Sequence, residues 1–345
     1  MVMTMTTNEV RAIGQTAALP VTSARSLVPT TIPEPVPGAH DLLVAVHAVS
    51  VNPVDVKLRG NAEPDGGVRV LGFDASGTVR AVGEAVTLFA PGDEVYYAGA
   101  IDRPGSNAEL QLVDERIVGR RPTTLTHTQA ASLPLTAITA WESLFDKLRI
   151  DSDATGTLLV VGGAGGVGSM AIQLARTLRP GVRVIATASR EESAAWVREL
   201  GAETVVDHHG DLAAQVLDIA PDGIEWILTT NSSGQLPVYE RMLRPFGQIV
   251  AIDDPEHVDV VALKSKAISW HWEFMFARSL HQANDMHRQH ELLDTVADLV
   301  DAGRIRHTAT TVLRPISAET LREAHALVES GRVIGKVVVT DEPAS

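Results

Sequence analysis

Three glycines in the segment VVGGAGGVGS, residues 160 to 169, have a spacing that could hold a phosphate group. Gly163, Gly165 and Gly168 fit the pattern G-x-G-x-x-G, between the apolar run TLLVV and the helical pattern SMAIQLARTL. We expect a tight turn at the first glycine, close approach of a pyrophosphate at the second, and close packing of helix and strand at the third. A flexible turn could show the same glycines, but the flanking strand and helix favour a dinucleotide site.

The end of the next strand-like run, VIATAS, bears on which dinucleotide is bound. An acidic residue there, about 20 residues past the glycines, would bind the ribose 2′-hydroxyl of NADH, whereas Arg and hydroxyl groups suit the 2′-phosphate of NADPH. This chain has Ser189 and Arg190 at that place, followed by Glu191 and Glu192. The two glutamates suit the start of a helix, where carboxylates favour the dipole. We therefore predict that the protein binds NADPH. The alternative is that Arg190 is only a solvated residue at the start of a helix.

A carboxylate lies within a second apolar run, VLGFDASGTV, residues 70 to 79. Asp74 is flanked there by apolar residues and glycines, so it is expected to be buried. An unpaired buried carboxylate is strongly disfavoured, so Asp74 needs a partner.

The pattern of predicted strands and helices around these motifs changes twice along the 345 residues. Residues 1 to about 130 read as short strands with tight turns, and residues 131 to 275 alternate apolar strands with amphipathic helices, which indicates a parallel sheet covered on both faces. A helix is expected at residues 282 to 302, ending at Gly303, and a strand, a helix and a strand follow. The pattern predicts a first domain built from both chain ends, with an α/β domain inserted.

Composition restricts the partners and the chemistry. The formal net charge of -14 argues against nucleic acid and anionic membranes, so a small-molecule partner is expected. The chain has no cysteine, which excludes disulfides, thiolate nucleophiles and every zinc site that needs Cys. No apolar run approaches the length of a membrane span, and the opening MVMTMTTNEV lacks the features of a signal peptide, so we expect a cytoplasmic protein.

Together with the glycine loop, several segments resemble the medium-chain dehydrogenase/reductase superfamily, especially its zinc-free quinone oxidoreductases and the zinc-type alcohol dehydrogenase-like branch. They are VNPVDVKLRG, GFDASG, APGDEVY, ASLPLTAITAW, LRPFGQIVAI and IGKVVV. The resemblance implies an α/β Rossmann domain with a doubly wound parallel sheet, residues 133–277, inserted in a β-rich GroES-like catalytic domain, residues 1–132 and 278–345. It also implies an active-site cleft between the domains and a homodimer.

The chain departs from the zinc-dependent members of that superfamily at each catalytic ligand. By resemblance, Asn52 replaces the Cys ligand, Phe73 replaces the His ligand, and the third ligand falls near Leu135. Catalytic zinc normally needs three protein ligands, so we predict no metal. Two histidine pairs elsewhere, at 208/209 and 287/290, are better explained by adjacency and by a solvated helix face.

The resemblance also implies the residues that would contact the cofactor and substrate. Lys336 lies where relatives have a basic residue that reaches both the pyrophosphate and the acid of the GFDASG strand; local pairing or solvent exposure of Asp74 is the alternative. Lys57 falls at a substrate-facing position, and Lys57, Tyr96, Tyr97 or a water could supply a proton. The predicted cofactor-binding residues are Asn52, Thr139, Gly163, Gly165, Gly166, Val167, Gly168, Ser189, Arg190, His208, Ile252, Phe274 and Lys336, and the predicted catalytic residues are Asn52, Lys57 and Tyr97.

These features predict an NADPH-dependent oxidoreductase that transfers hydride to a quinone or an α,β-unsaturated carbonyl. An ordinary ketone calls for a Lewis acid on its oxygen, whereas a conjugated acceptor spreads the incoming charge by itself. Two alternatives remain at this point. One is an NADPH-binding structural or redox-sensing protein with little turnover, and the other is an alcohol dehydrogenase-like enzyme that acts on a simple carbonyl.

Overall fold

The computed structural model describes residues 8–61, 63–64 and 66–343. Residues 1–7 of the opening segment, in which we predict no signal peptide, lie outside this described part. The chain divides into two compact units. The first unit combines the residues up to Leu135 with those from Phe276 onward, and the second unit is Thr136–Met275.

The first segment of the chain is rich in strands, as its short alternating apolar runs indicate. In β3, for example, Leu42 and Val44 pack into one core cluster while Val49 and Val51 pack into another. The elements are β1 (Glu9–Gln15), β2 (Val28–Pro33), β3 (Asp41–Val51), α1 (Pro53–Asn61), β4 (Arg69–Val70), β5 (Asp74–Val82), β6 (Glu94–Tyr97), β7 (Leu110–Asp114), a 3-10 turn (Glu115–Ile117), β8 (Val118–Arg120) and α2 (His127–Ala130).

The middle segment alternates strands and helices. Its elements are α3 (Pro134–Trp141), a π-helical stretch (Glu142–Lys147), β9 (Gly156–Val160), α4 (Gly166–Leu178), β10 (Val182–Thr187), α5 (Glu191–Glu199), β11 (Thr204–Val206), α6 (Leu212–Ile219), β12 (Ile224–Thr229), α7 (Leu236–Met242), β13 (Leu243–Ala251), a 3-10 helix (Val260–Lys266) and β14 (Ser269–Trp272).

The six strands of the second unit form one parallel sheet in the order β11-β10-β9-β12-β13-β14. Numbered from the first strand of this unit, the order is 3-2-1-4-5-6, that of a doubly wound dinucleotide-binding sheet. The strand order reverses between β9 and β12, and ligands of such sheets bind beside that point at the carboxyl ends of the strands. The predicted Rossmann fold is confirmed.

The last segment returns to the first unit with α8 (Ala277–Leu280), α9 (Arg288–Asp301), β15 (Ala309–Leu313), α10 (Ala318–Glu329) and β16 (Lys336–Thr340). The helix expected from residue 282 begins six residues later, at Arg288. Gln282 adopts a left-handed backbone, φ 46°, which an α-helix cannot contain. The predicted end is correct, because Gly303 has φ 67° and its N–H reaches the Val300 carbonyl at 2.9 Å.

The strands of the first unit form a seven-stranded sheet and a separate three-stranded sheet. The larger sheet runs β15-β16-β3-β5-β6-β8, with β7 also paired to β3, and the smaller one runs β2-β1-β4. Strand β16, near the end of the chain, thus pairs with β3, near its start. The two chain ends build one domain, as predicted from the return of the β-rich texture. In the described ranges, no helix is both long and apolar enough to span a membrane.

The run VLGFDASGTV is divided between these two sheets. Val70 closes β4 and pairs with β1 in the smaller sheet, whereas Asp74 opens β5 and pairs with β3 in the larger one. The chain changes direction between them at Gly72, whose φ of 101° suits glycine. This break places Asp74 at the start of a strand instead of in the middle of one.

The glycine loop joins β9 to α4 and fixes how closely the helix approaches the sheet. The left-handed residue of the turn is Gly162, φ 77°, and not Gly163, where we expected the tight turn. Gly163 instead packs against β10, since a Cβ on it would lie 2.9 Å from the Ala186 Cβ. A Cβ on Gly168 would lie 2.4 Å from the Gly162 carbonyl oxygen, so Gly168 has the packing role assigned to the third glycine.

We predict that Gly168→Ala destabilises the protein more than Gly165→Ala. The new methyl group at residue 168 meets backbone atoms that cannot rotate away, so a loss of about 1–3 kcal/mol in the free energy of unfolding is expected. A Cβ on Gly165 would lie 3.5 Å from the Gly162 oxygen, which is an ordinary contact. Urea unfolding of both variants measures the difference; equal losses would contradict this packing role for Gly168.

Candidate active site

Asp74 is fully buried and accepts hydrogen bonds from four groups. Its Oδ1 accepts from the Leu135 N–H at 2.7 Å. Its Oδ2 accepts from Ser50 Oγ at 2.7 Å, Asn52 Nδ2 at 2.8 Å and Lys336 Nζ at 3.0 Å. Hydrogen bonds to the charged form and an ion pair are what a buried carboxylate requires, so the partner that the sequence called for is present.

Lys336 is the cation of this pair and is itself only 4% exposed. Its ammonium group has three acceptors: Asp74 Oδ2, Asn52 Oδ1 at 2.5 Å and the Val51 carbonyl at 3.1 Å. A lysine has three donors, so these contacts can occupy all of them. The predicted link between Lys336 and Asp74 is confirmed, whereas a contact of Lys336 with a cofactor stays a prediction.

The positions that correspond to zinc ligands do not fit a zinc ion. Asn52 is 1% exposed, and its amide binds Lys336 through Oδ1 and Asp74 through Nδ2. Phe73 is buried and packs on Phe276 with ring centroids 4.9 Å apart. Leu135 offers an apolar side chain and uses its N–H for Asp74. A neutral amide held by an ion pair and two hydrocarbon side chains supply no zinc donor set.

Metal ligands are also not gathered elsewhere in the described residues, where no group of three or more His, Asp or Glu side chains could hold an ion. The rings of His208 and His209 lie 4.3 Å apart, centroid to centroid, with their planes tilted by 44°, in an exposed turn. His287 contacts Glu291 one helical turn away, which is an ordinary surface pair.

Asp55 is a second buried acid beside this network, and no sequence pattern singled it out. Its two carboxylate oxygens accept from the Asn52 N–H at 2.8 Å and the Gly72 N–H at 3.1 Å. It thereby fixes the start of α1 to the turn that precedes β5. Burial raises the pKa of Asp55 to about 7, and the negative charge of Asp74 adds to the increase, against the opposing effect of its hydrogen bonds and of Lys336.

The candidate proton donors differ sharply in exposure. Lys57 is exposed on α1, whereas Tyr96 and Tyr97 are completely buried. Tyr96 donates its hydroxyl proton to the Leu293 carbonyl at 2.6 Å, and Tyr97 lies in an apolar cluster with Val44 and Val113. Burial raises the pKa of both phenols far above the usual value. The Tyr96 hydroxyl is thus engaged by a backbone carbonyl, and the catalytic roles of Lys57 and Tyr97 stay predictions.

In the second unit, one side of the glycine loop is accessible to solvent. Gly165, Gly166 and Val167 are partly exposed, and a Cβ on Gly165 would meet only the Gly162 oxygen within 4 Å. The first turn of α4 contributes backbone N–H groups that have no acceptor within the helix. Thr187 steadies the loop from β10, since its Oγ accepts from the Gly162 N–H at 2.9 Å. An open backbone surface at a helix N-terminus fits a pyrophosphate.

Ser189 and Arg190 follow β10, at the place where a cofactor ribose is recognised in this fold. Ser189 is exposed and Arg190 is half-buried. The main chain of Arg190 exchanges two hydrogen bonds with the Ser193 hydroxyl, which caps α5. Glu191 and Glu192 are exposed in the first turn of that helix, as predicted from the helix dipole. The binding roles of Ser189 and Arg190 stay predictions.

The other predicted cofactor residues of the second unit are dispersed over its elements. Thr139 is 5% exposed on α3, and Phe274 is 45% exposed after β14. The Ile252 N–H is engaged with the Thr229 carbonyl at 3.2 Å, so its own carbonyl is the group that remains for a ligand. His208 is exposed, and partial desolvation, together with the neighbouring His209, lowers its pKa. The cofactor-binding roles of these residues stay predictions.

Two features of the site escaped the sequence reasoning. Gly162 supplies the turn that we assigned to Gly163, because the motif alone does not show which of two adjacent glycines adopts the left-handed backbone. Asp55 follows Pro53 at the beginning of a helix, where an acid suits the dipole, and that pattern does not distinguish a solvated carboxylate from a buried one.

We predict that Asp55 makes stability depend on pH. Its folded pKa of about 7 exceeds the unfolded value of 3.8, so the folded state binds more protons between these limits. The contribution is therefore fully present below about pH 4 and is lost as the pH rises to about 7, by up to about 4 kcal/mol. Asp55→Asn removes this titration. Urea unfolding from pH 4 to 8 should show the wild type losing stability relative to the variant; a constant difference would contradict the prediction.

Comparison with known proteins places this geometry in a family. Residues 38–123 match the model of the alcohol dehydrogenase GroES-like domain, and residues 200–339 match that of zinc-binding dehydrogenases. The chain is 43% identical over 312 residues to a zinc-type alcohol dehydrogenase-like protein of Staphylococcus aureus (strain COL), covering 89% of this chain and 92% of that protein.

Solved structures agree. The chain is similar to a putative zinc-dependent alcohol dehydrogenase protein from Rhizobium etli CFN 42, with TM-score 0.94, 48% identity, and coverage of 98% of this chain and 99% of that one. It is also similar to the quinone oxidoreductase from Coxiella burnetii, with TM-score 0.80, 26% identity, and coverage of 97% and 100%. The chain belongs to the medium-chain dehydrogenase/reductase superfamily of oxidoreductases, which bind a nicotinamide cofactor.

Proposed function

We propose that the protein is an NADPH-dependent oxidoreductase that transfers hydride to a quinone or an α,β-unsaturated carbonyl without catalytic zinc. The observation that carries the proposal is that the Asn52 side chain is hydrogen-bonded to both members of the buried pair, Lys336 and Asp74. With Phe73 and Leu135 at the other two ligand positions, this part of the protein supplies no Lewis acid through its side chains.

The glycine loop supports the cofactor assignment. Gly165, Gly166 and Val167 would hold the pyrophosphate through backbone N–H groups, and Ser189 with Arg190 would bind the 2′-phosphate. Bound NADPH supplies the hydride. The protein's own contribution is then to hold the nicotinamide against the substrate and to exclude water.

The choice of substrate class follows from the missing Lewis acid. Reduction of a quinone adds one hydride and one proton and gives a hydroquinone and NADP⁺. The conjugated ring delocalises the negative charge that arrives with the hydride, which a simple ketone cannot do. The quinone oxidoreductase from Coxiella burnetii, with which the chain shares its fold and 26% identity, supports the same class.

The proton then comes from water or from the exposed Lys57, because both tyrosine hydroxyl groups are buried. This same burial favours a second candidate, an NADPH-binding protein with little turnover. An alcohol dehydrogenase-like action on a simple carbonyl has less support, because it calls for polarisation of the oxygen.

The remaining assignments extend the proposal. We place the domain boundaries at residues 132/133 and 277/278. We also propose a homodimer formed through the second unit's sheet. Strand β14 is an edge of that sheet, and Trp272 on this strand is half exposed. The net charge of -14 supports a small-molecule substrate and not nucleic acid.

We predict that the purified protein oxidises NADPH with a panel of quinones and enones and retains this activity in a metal chelator. Activity with simple ketones and aldehydes should be lower, because these substrates need a Lewis acid on the carbonyl oxygen. Steady-state absorbance at the nicotinamide band, combined with metal analysis, measures both. Tight NADPH binding without turnover would favour the second candidate. Activity that is lost in chelator and restored by zinc would refute the metal-free mechanism.

We predict that Arg190→Ala weakens NADPH much more than NADH. A charge-assisted hydrogen bond contributes about 1.5–3 kcal/mol, so roughly a tenfold or greater loss in NADPH affinity is expected. Arg198→Ala, in the last turn of the same helix, is the matched control and should change neither affinity. Calorimetric titration gives the four dissociation constants. Equal weakening of both cofactors by Arg190→Ala would make Arg190 a helix-start residue only.

A further inference from the structure

A completely buried arginine connects three segments of the first unit. Arg59 lies in the last turn of α1, and its side chain has no contact with solvent. Its Nη1 donates to the Leu19 carbonyl, in the segment between β1 and β2. Its other two donors reach α10, where Nη2 donates to Glu329 Oε1 at 2.8 Å and Nε donates to His325 Nδ1 at 3.3 Å. One buried cation therefore fastens α1 to α10.

The contact with Arg59 determines the protonation state of His325. A guanidinium group has donors and no acceptor, so Nδ1 of the imidazole must accept this hydrogen bond and cannot itself carry a proton. His325 is completely buried, and in the described part of the chain its Nε2 has no hydrogen-bond partner. The bond to Arg59 is thus the polar contact that holds the ring, and it exists only while the imidazole is neutral.

The surroundings of His325 oppose its protonation. A proton on Nδ1 would remove the acceptor and would leave two cations side by side in a site without water. Burial, followed by the charge of Arg59, lowers the pKa of His325 to about 3. The nearby carboxylate of Glu329 is already paired with Arg59.

The other elements packed against α10 present apolar side chains to it. Strands β3 and β16 contact the helix through a hydrophobic cluster that includes Val49, Val51, Val337 and Val339. Lys336 of β16 is directed to Asp74 instead. These strands therefore offer His325 nothing that would stabilise a charged imidazole.

Helix α1 also positions part of the candidate active site. Asp55 precedes Arg59 by four residues, so the two buried side chains lie on one face of the helix, one turn apart. Asp55 binds the N–H groups of Asn52 and Gly72 at the start of the helix. Arg59 holds the end of the helix on α10. Loss of the Arg59 contact would therefore free the helix that carries Asp55.

We propose that Arg59 and His325 form an acid-sensitive latch, in which protonation of His325 breaks the hydrogen bond and releases the end of α1 from α10. The folded pKa of about 3 lies below the ordinary value of 6.5, so the open state binds more protons. The contribution of the latch is fully present above about pH 6.5 and is lost as the pH falls toward 3. The latch involves neither cofactor nor substrate, so it stands independently of the function proposed above.

The test compares amide hydrogen exchange of the full chain in the wild type and in His325→Asn from pH 7.5 to 4.5. The asparagine side chain offers Arg59 a neutral acceptor that does not titrate. Mass spectrometry gives the protection factors of peptides from α1 and α10. The ratio of wild type to variant should fall about tenfold for each pH unit below about 6.5, or about 100-fold by pH 4.5. Asp55 titrates in the opposite sense but is present in both proteins, so its effect cancels from the ratio.

A matched control and a second variant complete the test. His281→Asn removes an exposed histidine of the same unit and should follow the wild type at every pH. Thermal unfolding at pH 7.5 shows whether each variant is folded, and His325→Gln repeats the comparison with another neutral amide. The proposal is overturned if the ratio of wild type to the His325 variants is constant with pH, or if His281→Asn also removes the decline. A decline of equal size in peptides from β9 and β12 would mean that the whole protein unfolds, and it would also overturn the latch.

Discussion

A lysine ammonium group and a carboxylate, both removed from water, form the contact on which the first unit depends. Lys336 begins β16 and Asp74 begins β5, 262 residues apart in the sequence, yet their charged atoms are 3.0 Å apart. Loss of one partner would leave an unpaired buried charge, which typically costs about 3–5 kcal/mol. The C-terminal strand is therefore held in its sheet by charge as well as by its pairing with β3.

This contact determines the chemistry of its neighbours. Asn52 bridges the two charges, with its carbonyl oxygen on Lys336 and its amide nitrogen on Asp74, so the side chain is held in one orientation. Asp55 holds the backbone of Asn52 and lies near the same lysine. One cation thus serves two buried acids. Asp74 has the direct contact, and Asp55, more distant from the cation, is left with the raised pKa.

The sequence predicted what local patterns determine. Alternating apolar strands and amphipathic helices indicated a parallel sheet covered on both faces, the family resemblance implied its doubly wound order, and the apolar setting of Asp74 indicated a buried acid that needs a partner. Features that depend on packing between distant segments were missed or wrong. Tyr96 and Tyr97 look alike in sequence, but Tyr96 donates to the Leu293 carbonyl of α9, whereas Tyr97 is buried in the apolar cluster that includes Val44 and Val113. The start of α9 was misplaced because helical periodicity continues through residues whose backbone turns left-handed at Gln282.

The ion pair that balances the charge of Lys336 also affects which substrates the proposed reaction can use. A hydride acceptor becomes more negative as the hydride arrives, and enzymes stabilise that charge with a metal, a cation or a set of hydrogen-bond donors. At the positions matching zinc ligands, Phe73 and Leu135 present hydrocarbon, and the lysine beside Asn52 is already balanced by Asp74. A substrate that delocalises the charge over its own conjugated system needs the least from such surroundings. This smaller need for charge stabilisation by the protein is the physical reason to prefer quinones and enones over simple carbonyls.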